Sequence, residues 1–339
     1  PSGWDCLLPA WSFMWGMAVW EYYFFSEDAA FVRKAWPWVM KNLKGARKLS
    51  DKKGLFSGHY WNMFDWGGIV DASHMTTHNN MFIVGAINAA LKCADVVKAP
   101  AADRKWLAEY RKALVKAVNS LWNPAKKAYP DAFDGKDEPV DHTCQHTSFL
   151  SLLYDVADAK IKPHALRNTV NPPKEMGRVS SPFAIMFYYE ALEKMGLDVE
   201  IMKSIYKAYL PMLEAGATTV WEVFPDSPCR PAGFPTRSHC HAWSSAPLYF
   251  LPRIVLGIRQ TDVGGREYEI SPRPSGLEWA NGRIVTAKGL LSVSWKKGRN
   301  LDVVVKAPDG VKCRLAKNEA IEGLKVNVKT IVQAQRRHR

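Results

Sequence analysis

Gly216-Ala217-Thr218-Thr219-Val220-Trp221-Glu222 and, after a Pro/Gly-rich stretch, Ser238-His239-Cys240-His241-Ala242-Trp243-Ser244 form the segment around which the chain is organised. The middle of it holds Pro225, Pro228, Pro231, Gly233 and Pro235, which cannot sit inside a helix or a sheet ladder, so it reads as a loop. A carboxylate beside an indole stands on one side of that loop. Two histidines and another indole stand on the other. Indoles stack on the apolar faces of pyranose rings and a carboxylate can move a proton, so this mixture suits a sugar-binding cleft. A single Trp-Glu pair at a helix end is more often core plus surface than catalysis, so the rest of the chain must decide.

A chain of 339 residues has room for two domains, or for one large domain with an appendage. Hydrophobic residues make up 47% of it, enough for a sizeable core, and its 14 tryptophans exceed what packing alone needs. The formal net charge of +13 would attract nucleic acid or acidic polymers if it were concentrated. The lysines and arginines are instead scattered over helix faces and the C-terminal segment. Only Arg336-Arg337-His338-Arg339 is a cluster, so the charge reads as solvated surface and no nucleic-acid partner is expected. Cysteines at 6, 93, 144, 229, 240 and 313 form no CxxC pair, which points to free thiols rather than a disulfide framework. No run of about 18 apolar residues is present, so no membrane-spanning helix is expected. The chain opens at Pro1 without a methionine or a basic leader, as a processed or partial chain does.

Pro9 to Phe25 is apolar and aromatic with Glu21 its only charge, the pattern of a buried helix. Ser26-Glu27-Asp28 caps the next helix, which runs to about Leu49 with a bend or restart at Pro37. Residues 51–73 form a long aromatic loop in which Gly54, Gly58, Gly67 and Gly68 punctuate Phe56, His59, Tyr60, Trp61, Phe64 and Trp66, with Asp65 and Asp71 as its carboxylates. Further helices are expected over 76–96, 102–122, 143–157, 181–195, 198–213 and 239–256. After Gly257 the pattern changes to short β-like segments, with alternation in Leu291, Val293 and Trp295 and turns at Lys297-Gly298, Asp309-Gly310 and Glu322-Gly323. The expected fold is therefore mainly α: a helical domain over 1–257, then a small antiparallel β-sandwich domain over 258–339. Helical hairpins can close into an (α/α)6 toroid, and a ring of six hairpins needs twelve helices. About eight long helices are present, so if this is such a ring it is incomplete, with roughly a third of it upstream of Pro1.

His74 with His78, and His142 with His146, are spaced to share a helix face. Neither pair carries the Glu of HExxH, and adjacent His239-Cys240-His241, even with Cys229, makes a poor tetrahedral ligand set. No metal is expected, and both pairs read as capping or lining helix ends. No Gly-rich phosphate loop and no GxSxG elbow occur, so no nucleotide or other cofactor is expected. A carboxylate beside an indole recurs three times, as Trp4-Asp5, Asp65-Trp66 and Trp221-Glu222, each before or between long helices.

These residues resemble the α-L-rhamnosidases of glycoside hydrolase family 78, which are (α/α)6 six-hairpin glycosidases. The likeness is carried by Ala217 to Glu222, by Ser238 to Trp243 and by Phe64-Asp65-Trp66. Leu277-Glu278-Trp279-Ala280-Asn281-Gly282 and Gly289 to Trp295 are similar to that family's C-terminal β-sandwich, so the resemblance runs along essentially the whole chain. It implies an inverting hydrolase of terminal α-L-rhamnosides, in which one carboxylic acid protonates the leaving oxygen and a second carboxylate activates water. By motif position Glu222 matches the general base and His241 a histidine that contacts rhamnose. Trp4, Asp5, Asp65, Trp66, Trp221 and Trp243 are the expected lining of the sugar pocket. The implied partner is a rhamnose-containing glycoside or oligosaccharide. The family's general acid lies in an acidic segment expected upstream of Pro1, and Cys240-His241-Ala242 stands where the family has Asn-His-Tyr, so the resemblance leaves the fine specificity open. Other readings remain open: another six-hairpin glycosidase acting on a different deoxy-sugar or a uronic substrate, a fragment that binds sugar without cleaving it, or a basic scaffold for acidic polymers.

Overall fold

The computed structural model describes residues 7–70, 74–225 and 238–333. Trp4, Asp5, Asp71, Cys229 and the basic C-terminal cluster lie outside these. The chain divides into two compact units, one of Pro1–Trp20, Ala29–Glu200 and Tyr206–Ser245, the other of Glu21–Asp28, Ile201–Ile205 and Ala246–Arg339.

The first unit holds α1 (Pro9–Ser26) up to Trp20, α2 (Ala29–Lys48), α3 (Thr77–Val97), α4 (Ala101–Asn119), α5 (Gln145–Leu153), α6 (Lys162–Val170), α7 (Ala184–Lys194) and α8 (Asp198–Glu214) apart from Ile201–Ile205. Apolar residues three and four apart explain the packing. In α2 they are Val32, Ala35, Val39, Met40, Leu43 and Ala46, all buried, while Pro37 lies on the exposed face and does not end the helix. In α4 they are Leu107, Tyr110, Leu114 and Val118. α3 is the central helix and packs against α2, α4 and α5, while α5 also meets α6 and α7. By length and composition α3 could cross a membrane, yet 67% of its apolar window is buried inside the protein, as in a core helix. Gly85 lets α3 approach its neighbours: a Cβ there would meet the Tyr154 ring at 2.7 Å and Met17 Sδ at 2.9 Å.

Two short strands, β1 (Met75–Thr76) and β2 (Ala132–Phe133), pair antiparallel and bring the segment before α3 beside the one that leads to α5. Both helices begin with buried polar residues: Thr77, His78, Asn79 and Asn80 in α3, Gln145, His146, Thr147 and Ser148 in α5. These helix entries position the candidate site.

The second unit holds α9 (Ala246–Ile254) and strands β3 (Ile258–Gln260), β4 (Glu267–Ile270), β5 (Trp279–Thr286), β6 (Gly289–Lys297), β7 (Asn300–Pro308), β8 (Lys312–Leu315) and β9 (Lys325–Gln333). They form a three-stranded sheet, β3-β4-β8, and a four-stranded sheet, β5-β6-β7-β9. Alternating Leu291, Val293 and Trp295 on β6 and Leu301, Val303 and Val305 on β7 supply the core, and Trp295 Nε1 donates to the Val255 carbonyl at 2.8 Å.

Four features depart from the sequence reading. The sheets are mixed rather than wholly antiparallel, because β4–β8 and β7–β9 pair in parallel; a turn motif marks where a strand ends, not which strand it joins. α1 buries only Pro9, Ala10, Phe13, Gly16 and Val19, and leaves Trp15, Tyr22 and Phe25 exposed. α6 carried no apolar stripe, because its buried face is Ala165, Asn168 and Thr169. The helix expected from 239 starts only at Ala246, after a short 3₁₀ turn at Ala242–Ser244, because the preceding residues spend their hydrogen bonds on Val220 to Glu222.

Candidate active site

Two backbone segments meet at the entry to α9. Glu222 N–H donates to the Ser238 carbonyl at 2.9 Å, and His241 N–H donates to the Val220 carbonyl at 3.0 Å. The Thr219 hydroxyl donates to the His239 carbonyl, and Ser244 Oγ donates to the Trp221 carbonyl at 2.6 Å. The two halves of the motif quoted at the outset thus flank the loop between them and present their side chains together.

Glu222 is half-buried and gripped by two indoles. Trp66 Nε1 donates to Glu222 Oε1 at 3.2 Å, and Trp243 Nε1 donates to the Glu222 backbone carbonyl at 3.0 Å. Among the described residues the other carboxylate oxygen accepts no hydrogen bond, which leaves it for a water or a sugar hydroxyl. The Trp66 and Trp243 rings lie 6.4 Å apart, Trp61 stands 6.3 Å from Trp66, and His241 stands 4.5 Å from Trp243. Phe183 stacks behind Trp243 at 5.1 Å and Trp11 stacks on Phe183 at 5.2 Å, so the wall is fixed in depth. Glu222, Trp66, Trp243 and His241 therefore form one cluster.

Two further residues of the expected pocket take other positions. Trp221 is only 5% exposed and stacks on His239 at 4.8 Å, behind Glu222. Asp65 is 2% exposed and lies beneath the cluster, not on its surface. Its Oδ2 accepts from His146 Nε2 at 2.7 Å and Ser180 N–H at 2.9 Å, and its Oδ1 from Ser180 Oγ at 3.0 Å and Trp66 N–H at 2.7 Å. Because a carboxylate only accepts, His146 must carry its proton on Nε2. Asp65 holds the backbone from which the Trp66 indole reaches Glu222. The adjacent Phe64 is fully buried among Phe82, Phe187 and Phe183 and the rings of His78 and His146.

The loop carrying Trp66 is tied to α3 by three neighbouring side chains. His78 Nε2 donates to the Asn62 carbonyl at 2.8 Å, Asn79 Nδ2 to Asn62 Oδ1 at 2.7 Å, and Asn80 both accepts from Phe56 N–H at 2.8 Å and donates to its carbonyl at 3.1 Å. A second buried carboxylate, Asp131, accepts from Val70 N–H at 2.6 Å, from His142 Nδ1 at 3.0 Å and from the Cys144 thiol at 3.3 Å, with His78 Nδ1 3.9 Å away. Burial pushes the Asp131 carboxyl up, but the His142 hydrogen bond, the His78 ring and Val70 N–H outweigh it and hold the group well below the usual carboxylate range. The same bond raises His142, against its partial burial. Of the two histidine pairs only the second members, His78 and His146, lie within α3 and α5, so neither pair shares a helix face; His78 and His142 meet at Asp131, and His146 holds Asp65. His74 instead meets His59, with a ring nitrogen of each 3.2 Å apart.

Glycines permit the loop's last contact. Gly68 has φ +72°, and a Cβ there would lie 2.0 Å from the Arg178 carbonyl oxygen; at Gly177 it would lie 2.1 Å from the Gly68 carbonyl oxygen. The two backbones touch, which brings Ser180 to Asp65. Sequence reading did not single out Asp131, Asn79, Asn80 or Ser180, and it read His146 only as capping or lining a helix end. The polar run His78-Asn79-Asn80 in an otherwise apolar helix was the available signal.

Residues 3–255 match the bacterial alpha-L-rhamnosidase 6 hairpin glycosidase domain, and residues 257–331 match the bacterial alpha-L-rhamnosidase C-terminal domain. The chain belongs to the bacterial α-L-rhamnosidase six-hairpin glycosidase family. Among solved structures it resembles a GH78 family rhamnosidase of Bacillus sp. GL1, at 30% identity and a TM-score of 0.91, over 99% of this chain and 35% of that one. It also resembles an alpha-L-rhamnosidase from Dictyoglumus thermophilum, at 19% identity and a TM-score of 0.71, over 93% of this chain and 35% of that one. A rhamnosidase from Klebsiella oxytoca with rhamnose bound aligns at 22% identity and a TM-score of 0.61, over 74% of this chain and 47% of that one. The last two likenesses bear on the fold alone. The chain spans 35% of the length of the first two relatives. No curated protein sequence matches it.

Proposed function

We propose that this chain supplies the sugar site and the general base of an α-L-rhamnosidase that cleaves terminal α-L-rhamnosides with inversion. The observation that carries the reading is the grip on Glu222: two indole N–H groups fix its carboxylate and its backbone beside His241. A base that activates water must be held so that one oxygen stays available, and Glu222 has that arrangement among the described residues. In an inverting reaction this carboxylate stands about 6.5–9.5 Å from the acid that protonates the leaving oxygen, leaving room for the attacking water. Trp66, Trp243 and His241 would present indole surface and a ring nitrogen to the sugar, while Asp65 and Trp221 support them from behind. Family membership supports rhamnose as the sugar.

The test is hydrolysis of an aryl α-L-rhamnoside by the full-length protein and by its Glu222→Gln form. The expected loss is about 10²–10⁴-fold in kcat, the usual contribution of a general base. Equal rates would remove Glu222 from the mechanism. Hydrolysis of a different aryl glycoside in preference to the rhamnoside would keep the mechanism and change the substrate.

A further inference from the structure

Lys53 and parts of the 120–143 segment line a cavity of about 740 Å³ that includes none of the Glu222 cluster. Its size falls within the roughly 300–1,000 Å³ of small-molecule sites. Trp122 and Phe133 give it apolar surface, and Asn123, Thr143 and His142 give it hydrogen-bonding atoms. Trp122 is half-buried and held edge-on by Tyr129 at 5.0 Å, so its indole is a fixed wall.

The charges around the cavity are already matched. Lys53 Nζ lies 3.7 Å from Asp137, Lys126 is paired with Asp141, and His142 Nδ1 bonds Asp131 at 3.0 Å. An anion would meet cations that these carboxylates already neutralise in part. An uncharged ring with many hydroxyls needs no free cation: its C–H face suits the indole and its hydroxyls suit the polar wall. With Nδ1 committed to Asp131, His142 Nε2 is left for a hydroxyl. Its wall is tied to the loop that carries Trp66, because Asp131 accepts from both His142 Nδ1 and Val70 N–H.

We infer that this cavity is a second saccharide site, taking an uncharged pyranose unit of the same glycan whose terminal residue is presented to Glu222. The inference rests on the rhamnosidase reading for the identity of that glycan, but not for the cavity itself. The experiment is calorimetric titration of the full-length Glu222→Gln protein, which suppresses turnover, with L-rhamnose and with a neutral tetrasaccharide ending in α-L-rhamnose. Trp122→Ala is expected to weaken tetrasaccharide binding about tenfold, the scale of one well-placed ring contact, and to leave L-rhamnose affinity unchanged. Val140→Trp, which fills the cavity from its rim, is expected to do the same and decides the matter if Trp122→Ala fails to fold. Tetrasaccharide affinity unaltered in the folded variants would overturn the inference, as would a preference for a uronic-acid oligosaccharide that falls steeply with salt. Tetrasaccharide binding that depends on Trp122 in a protein that does not bind L-rhamnose would uphold the cavity and refute the rhamnose assignment instead.

Discussion

At the scale of single residues, the candidate site turns on one side chain being held by another. The Trp66 indole is a donor to Glu222, not only a surface for a sugar ring. A hydrogen bond to a charged acceptor contributes about 1.5–3 kcal/mol, so Trp66→Phe is expected to lower kcat on an aryl α-L-rhamnoside about 10–100-fold while keeping the ring. A melting temperature near that of the parent would show that the loss is local. The Asp131–His142 pair makes a prediction in pH. His142 is raised in the fold, so its contribution is complete below the unfolded histidine value and is lost as pH rises through the raised one. Asp131 is lowered, so its contribution is complete above the unfolded carboxylate value and is lost as pH falls through the lowered one. The stability gap between the parent and His142→Asn should therefore be widest between about pH 4 and pH 6.5 and narrow on either side. Denaturant melts at a series of pH values measure this, and a gap that stays constant with pH would refute the pairing.

At the scale of elements, the aromatic loop before α3 is a structured element, although nothing in it is helix or long strand. Helix entries rich in buried polar groups hold it from below, and Asp65 and Asp131 each bind it to a neighbouring segment. Buried carboxylates are tolerable here because their acceptor sites are engaged. The close approach of Gly68 to the 177–180 segment gives a sharp test. Gly68→Ala puts a Cβ against backbone and strains a positive φ, and should cost about 1–3 kcal/mol, with loss of activity as the loop shifts. Gly45→Ala in α2 meets nothing within 4 Å and should stabilise by about 0.5–1 kcal/mol, since glycine weakens a helix interior. Chemical denaturation of both variants reads the opposite signs, and a fall in stability for each would show that loop packing is not what separates them.

At the scale of the molecule, the chain is a helical unit that carries the candidate chemistry and a mixed β unit with its own core. Each satisfies its own packing, the first around α3 and Phe64, the second around Trp295 and its neighbours on β6 and β7. Trp295 is 3% exposed and also donates to the Val255 carbonyl, so Trp295→Ala should cost about 3–5 kcal/mol. The melting temperature of the β unit would move down accordingly, and an unchanged melting profile would show that the β unit does not depend on this core.

The sequence by itself determined most of the element plan, because helix stripes, turn residues and strand alternation are local properties of neighbouring residues. Val32 to Ala46 and Leu291 to Trp295 each carry their own pattern. It also placed Trp221-Glu222, Asp65-Trp66 and His241 under suspicion through chemistry and family resemblance. Only the tertiary structure decided which of these act at the surface of the cluster and which beneath it. Asp65 and Glu222 look alike as carboxylates beside indoles, yet one is enclosed by His146 and Ser180 and the other meets an indole from a loop 156 residues away. The parallel pairing of β7 with β9 and the meeting of His78 and His142 at Asp131 were hidden for the same reason. Each depends on partners far apart in the chain, and no local pattern records which distant group will satisfy a buried charge or an open strand edge.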